Sequence, residues 1–198
     1  MLKIRSLNNA TTLVKFEEKY LLIDPWLVGD LYHGSWSPYS KLDSLDFLKR
    51  IDYVYISHIH EDHWDLETLN LIDRDAIILI PDMPMNIVIT RKLESQGFTN
   101  IKLIGLREKI SLNENTSISA IPPLNSHGQE TYRYIEGYES DATNIDTSLL
   151  LQHTPSGTSH LFLCDNTPYD TQRLQEEVSQ NITTLWYPFN GYAQDYPV

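Results

Sequence analysis

Ser57, His58, Ile59, His60, Glu61, Asp62 and His63 follow one another directly behind the apolar run Tyr53, Val54, Tyr55 and Ile56. Neutral imidazole nitrogens and ionised carboxylate oxygens are ligands for zinc, iron or manganese, and a turn leaving a strand end can aim several of them at one point. Alternate residues of an extended segment share a face. His58 and His60 can therefore bind one ion while Asp62 and His63 swing toward a second. Two ions about 3.5 to 4 Å apart would share a solvent ligand. The competing reading is a solvated helix start, capped by Asp62 or Asp65, with incidental histidines. The spacing directly behind a buried strand favours ligation.

The surrounding pattern must place this turn. Short apolar or β-branched runs at 2–7, 11–16 and 20–24 predict meandering strands. From residue 44 a helix–strand alternation begins: helix 44–50, strand 53–56, helix 66–72, strand 76–80, helix 84–95 with Pro84 at its start, and strand 101–104. Gly97 supplies a helix stop. Strands at 109–112 and 116–121, joined by the Asn-rich turn 113–115, predict a hairpin. Residues 125–146 have no clear period and are expected to form a long surface loop, a class that is often functional. Strands follow at 147–152 and 160–164 across the turn 154–157, then a helix at 168–178 and a strand at 183–186. No repeat or Gly/Ser linker divides the chain, which predicts a single α/β domain over residues 1–198.

Composition narrows the class. The 198 residues are 41% hydrophobic and 21% charged, enough for one buried core. The net charge of −12 opposes a broad grip on a nucleic-acid backbone, so no nucleic-acid partner is expected. The imbalance sits in residues 128–198, which carry 2 basic against 10 acidic side chains. No stretch reaches the roughly 18 apolar residues of a membrane span. The single cysteine, Cys164, cannot form an internal disulfide, and residues 1–10 lack the apolar run of a signal peptide. A cytoplasmic setting and a small-molecule substrate are the expectations, and oligomeric state is left open.

His-x-His-x-Asp-His after a strand resembles the signature of the metallo-β-lactamase superfamily. The run Tyr20 to Asp24 and Pro25 is similar to the family's early strand that ends in Asp near the metals, and the likeness extends from about residue 1 to about residue 190. It implies a four-layer αββα sandwich with one or two metals at an edge of the two sheets. The family's next ligand is a histidine on a loop after a hairpin, and His127, followed by Gly128, fits that place as third ligand of the His58/His60 ion. The family's bridging carboxylate closes an apolar strand in a Gly-Asp-Thr-like turn. Cys164, Asp165, Asn166 and Thr167 are similar, which makes Asp165 the candidate bridge. Its alternative role is a cap for the helix near Pro168, and Asp170 is a weaker rival. The family's late histidine is missing, because none follows His160. Either the chain is a fragment of a longer protein or the second site is incomplete or differently completed; the ending at 190–198 favours C-terminal truncation.

The resemblance implies a metal-dependent hydrolase in which a metal-bound hydroxide attacks a phosphoester, lactone or amide. Two ions, zinc first with iron or manganese as alternatives, would activate the hydroxide. Asp62, besides binding metal, would orient it and accept its proton. Asp24, Pro25, Trp26 and Leu27, with Trp64 and the late stretch 189–197, are loosely similar to a branch of three kinds. These are sugar-phosphate lactonase-like hydrolases, N-acylphosphatidylethanolamine phospholipase D-like enzymes and CMP-N-acetylneuraminate hydroxylase-like proteins. Two alternatives to hydrolysis follow: a diiron oxygenase or redox enzyme on the same fold, and a non-catalytic relative that binds a metal or a partner. With one cysteine the chain cannot hold a Rieske cluster, so an oxygenase would draw electrons from elsewhere. His33 lies in an aromatic loop of the kind that walls the cleft in this superfamily. Trp26 and Trp36 are expected in the core, and His153 and His160 at the surface. Cys164 is expected to be a small buried hydrophobe, since no neighbouring cation marks it as a thiolate.

Overall fold

In the computed structural model, residues 2–39, 41–124, 129–130, 143–166, 171–178 and 181–187 are described. The meander is β1 (Leu2–Asn8), β2 (Thr11–Phe16) and β3 (Lys19–Ile23), paired antiparallel in that order. From β3 the first sheet continues in parallel through β4 (Tyr53–Tyr55), β5 (Ile77–Pro81) and β6 (Ile101–Ile104). Parallel neighbours need crossovers. These are a 3₁₀ turn at Asp46–Arg50, then α1 (Leu66–Leu69), then α2 (Ile87–Ser95), entered through a 3₁₀ turn at Pro84–Asn86.

The second sheet has the order β13-β12-β11-β8-β7. Its strands are β7 (Lys109–Ser111), β8 (Thr116–Ile121), β11 (Ser148–His153), β12 (Thr158–Phe162) and β13 (Thr184–Trp186). Between β8 and β11 lies a two-residue pair, β9 (Gln129–Glu130) with β10 (Thr143–Asn144). The expected surface loop therefore contains a short antiparallel ladder, and its last two residues, Ile145 and Asp146, are buried.

Side-chain alternation assembles the layers. In β3 and β5, Leu22, Ile78 and Ile80 point to an outer core with Leu48, Leu69, Ile89 and Leu93 from the crossovers. Leu21, Ile23, Tyr55 and Leu79 point the other way and meet Ile118, Ala120, Leu149, Leu151 and Phe162 of the second sheet. The outer face of that sheet packs Leu150, Leu161 and Leu163 against α3 (Thr171–Glu177) and Val178. Strands covered on both faces read as continuous apolar runs, which is why β3, β4 and β5 show no polar alternation. The layers are helix, sheet, sheet, helix.

Period two also corrects two expectations. His153 and His160 share the inward face with Leu149, Leu151 and Phe162, so both are buried rather than at the surface, 3% and 7% exposed. His153 Nε2 meets Glu17 Oε1 at 3.0 Å, clipping the β2–β3 turn of the first sheet to the second. Trp26 is in the core, whereas Trp36 is only half-buried, on the loop that follows it.

Candidate metal centre

The residues with ligating side chains lie where strands of both sheets end. Asp24 follows β3, Ser57 to His63 follow β4, Asp146 precedes β11 and Asp165 follows β12. Asp24 and Cys164 have φ of 47° and 53°, left-handed values that cost non-glycine residues about 1–3 kcal/mol and concentrate at functional sites. Each turns the chain out of its strand at once. Thr11 Oγ1 holds the first turn, donating to Asp24 O at 2.7 Å and accepting from Trp26 N at 2.8 Å. Asn166 holds the second: its Oδ1 accepts from Leu124 N at 2.5 Å, and its Nδ2 donates to Pro122 O and Ser148 Oγ, both at 3.0 Å.

Asp24 is fully buried and organises the histidines. Its Oδ1 accepts from Ser57 N at 2.8 Å, and its Oδ2 accepts from Ser57 Oγ at 2.9 Å and lies 2.9 Å from His63 Nδ1. Ser57 spends its hydroxyl proton on Asp24, so at 2.9 Å it accepts from His58 Nδ1. Nδ1 of both rings is therefore the protonated atom facing Asp24 or its serine, and both Nε2 atoms face the opening. Such outer hydrogen bonds fix ring orientation and tautomer at metal sites.

On the open side, His58 Nε2 and His60 Nδ1 are 2.8 Å apart. One ligating atom each from His58, His60 and Asp165 lies within 4.8 Å of the others. Asp165 Oδ2 is 3.9 Å from His58 Nε2 and 3.3 Å from His63 Nε2, so it stands between the two imidazoles. Asp62 Oδ2 approaches His63 Nε2 at 3.6 Å, and Asp146 Oδ1 approaches His58 Nε2 at 3.6 Å. His58, His60, Asp62, His63 and Asp165 are thus brought together. His127 and Asp170 lie outside the described residues. Asp65, not Asp62, caps α1, accepting from Thr68 N at 2.7 Å and Glu67 N at 3.1 Å.

Electrostatics suit a cation. Burial pushes His58 well below the ordinary histidine range, with His63 and His60 adding to that, so the ring is neutral, the form that can ligate a metal. Burial opposes the proton on His63, but the Asp165 and Asp24 carboxylates outweigh it and hold that ring well above the ordinary range, so its Nε2 carries a proton that an ion bound there would displace. Burial would raise Asp165, yet His63, His58 and His60 hold it below the usual carboxylate range. Burial and then the Asp24 carboxylate push the Cys164 thiol up, which leaves it protonated within the inter-sheet core. The donor set fits a divalent ion. Ligands on one tetrahedral ion sit about 3.4 Å apart when metal–nitrogen bonds are about 2.1 Å, so the His58 and His60 nitrogens, 2.8 Å apart, need to open by about 0.6 Å.

Sequence reasoning missed Asp146, Tyr32 and the organising role of Asp24. Tyr32 OH donates to Asp62 Oδ1 at 2.9 Å. Only Asp24 left a signal, its place at the end of an apolar strand. Asp146 and Tyr32 sit in stretches without periodicity and reach the site by long-range folding.

Comparison with known proteins agrees with this architecture. A family model described as a beta-lactamase superfamily domain matches residues 3–146. A protein of Mycolicibacterium smegmatis named for a Rieske 2Fe-2S iron-sulfur centre is 37% identical over 102 residues, 50% of this chain and 19% of its own length. Cytidine monophosphate-N-acetylneuraminic acid hydroxylase of Mus musculus is 30% identical over 201 residues, 99% of this chain and 31% of that protein. The chain therefore spans about a fifth to a third of these relatives. Among solved structures, CmlA, a diiron beta-hydroxylase from Streptomyces venezuelae, superposes with a TM-score of 0.67 at 23% identity, over 93% of this chain and 33% of CmlA. Isothiocyanate hydrolase from Delia radicum gut bacteria gives 0.62 at 18% identity, over 89% and 66%. No helix among the described residues is long and apolar enough to cross a membrane. With its αββα layers and the matched family model over most of its length, the chain belongs to the metallo-β-lactamase superfamily.

Proposed function

We propose that this chain is the metal-binding domain of an iron-dependent hydroxylase. One observation carries the reading: relatives named as hydroxylases match nearly the whole of this chain. Among the described residues His58, His60 and Asp165 form a group able to hold an ion, and two histidines with a carboxylate serve non-haem iron oxygenases and zinc hydrolases alike, so the site admits iron. The sequence alone put zinc-dependent hydrolysis first, and the relatives named as hydroxylases favour its iron alternative here.

His58, His60 and Asp165 would hold the first ion; Asp165, His63 and Asp62 would hold the second. Bound iron supplies one-electron chemistry toward dioxygen. The chain's own residues do the rest. Asp24 and Ser57 keep His58 and His63 in the ligating tautomer. Behind Ser57, whose carbonyl accepts from Thr147 Oγ1 at 2.8 Å, Tyr55 and Thr147 are fully buried and bonded to each other at 3.0 Å. Asp62, with Oδ1 on Tyr32 and Oδ2 toward His63, can hold or pass a proton at the open side. Electrons must arrive from another centre, since this chain has one cysteine.

Hydrolysis of a phosphoester, lactone or amide is the second reading. The placement of Asp62 favours it, because a carboxylate beside the ligand cluster can orient and deprotonate an attacking water. To separate the readings, metal-free protein is loaded with Fe(II) or Zn(II) and given a reductant and a panel of phosphodiesters and lactones. Iron-dependent oxygen consumption that His58→Ala abolishes supports hydroxylation. Zinc-supported ester or lactone cleavage without oxygen uptake contradicts it.

A further inference from the structure

Tyr32 occupies a loop that is built to hold it. Its φ is 49°, the next residue His33 has 59° and Gly34 has 81°, so two successive non-glycine residues are left-handed. The turn is closed by Leu31 N to Trp36 O at 2.8 Å, Gly34 N to Leu31 O at 3.1 Å and Trp36 N to Leu31 O at 3.3 Å. Ser37 Oγ donates to Asp30 Oδ1 at 2.6 Å across its base, and Trp26 Nε1 anchors Gly29 O at 3.2 Å. The Tyr32 ring stands edge-on to Trp36, centroids 5.2 Å apart. This arrangement aims one phenolic hydroxyl, across 30 residues of sequence, at Asp62 Oδ1.

A carboxylate with one oxygen held can present the other in only one direction. With Oδ1 on Tyr32 at 2.9 Å, Asp62 presents Oδ2 to the side where His63 Nε2 lies at 3.6 Å. A hydroxyl bond to a carboxylate is charge-assisted and about twice as strong as a neutral one. We infer that Tyr32 is a positioning residue, which fixes Asp62 as a ligand of the second ion. The inference rests on the two-ion reading above. Loss of such an outer hydrogen bond lowers metal affinity about 10- to 100-fold. Tyr32→Phe keeps the ring, its contact with Trp36 and the backbone turn, and removes only the donor.

The test is titration of the metal-free chain with Co(II) alone, followed by calorimetry and by the visible absorption of each added equivalent. Wild type is expected to take two equivalents in separable steps. In Tyr32→Phe the second step should weaken about 10- to 100-fold with an altered spectrum, while the first step stays within about twofold. Ser37→Ala, which loosens the loop base but keeps the Tyr32 hydroxyl, should weaken the second step less than Tyr32→Phe does and leave the first as in wild type. A Tyr32→Phe titration identical to wild type overturns the inference while the two-ion reading stands. So does an equal loss in Ser37→Ala, which would make the effect one of loop order. A wild-type chain that takes fewer than two equivalents overturns the two-ion reading, and the inference with it.

Discussion

His63 Nδ1 and Asp24 Oδ2 lie 2.9 Å apart, both fully buried, although 39 residues separate them in sequence. Because Asp24 also takes both hydrogen bonds of Ser57, one carboxylate orients His63 directly and His58 through the serine. The centre thus depends on a residue that faces away from its opening.

Asp24→Asn keeps the volume but replaces one acceptor oxygen with a donor amide. The expected result is a metal affinity about 10- to 100-fold weaker, with both ions affected. Competition with a chelating dye measures this. Unchanged affinity would show that the imidazoles are oriented by the backbone alone.

Asp165 stands between His58 and His63, so its loss should be felt at both positions. Elemental analysis of Asp165→Ala is expected to find one ion or fewer where wild type holds two. Retention of two ions would rule out a shared carboxylate.

Asn166 is buried and makes three hydrogen bonds that join the Asp165 turn to Pro122, Leu124 and Ser148. Asn166→Ala leaves buried polar groups unmet at about 1–3 kcal/mol each. Thermal melting is expected to fall by at least about 5 °C for a chain of this size. A shift within about 1 °C would contradict this bracing role.

At the far end of the sandwich, pH acts through Glu17 and His160. Hydrogen bonds from His153 and Asn113 hold Glu17 below its ordinary value of 4.5, so it binds a proton more readily when unfolded. Its stabilisation is fully present above that value and is lost as pH falls below it, through the lower folded-state value. Burial, and then His153, lower His160 below 6.5, so the folded state disfavours its proton too, and stability starts to decline once pH drops under 6.5. Melting temperatures of the metal-free protein between pH 3 and 7 should show both regions. Glu17→Gln should flatten only the more acidic one, and an unaltered profile in that variant would remove Glu17 as the cause.

The local part of this picture was legible in the sequence. His58, His60, Asp62 and His63 are close in the chain, and the strand before them is wholly apolar, so a turn of ligands could be read without knowing the fold. Asp165 was legible because an apolar strand ends on it. The Asp24–Ser57–His58 relay, the Tyr32–Asp62 bond and the approach of Asp146 were not, because each joins segments that periodicity treats separately. His153 and His160 misled for a related reason. A polar residue beside a turn reads as surface, yet the inward register of β11 and β12 buries both, and Glu17 of the other sheet meets one of them.

Anomalous scattering from crystals of metal-loaded protein would locate the ions themselves. A strong peak is expected bonded to His58 Nε2, His60 Nδ1 and an oxygen of Asp165, with a second peak against His63 and Asp62. A map with no peak among these side chains, or with the ion bound elsewhere on the protein, would contradict that placement.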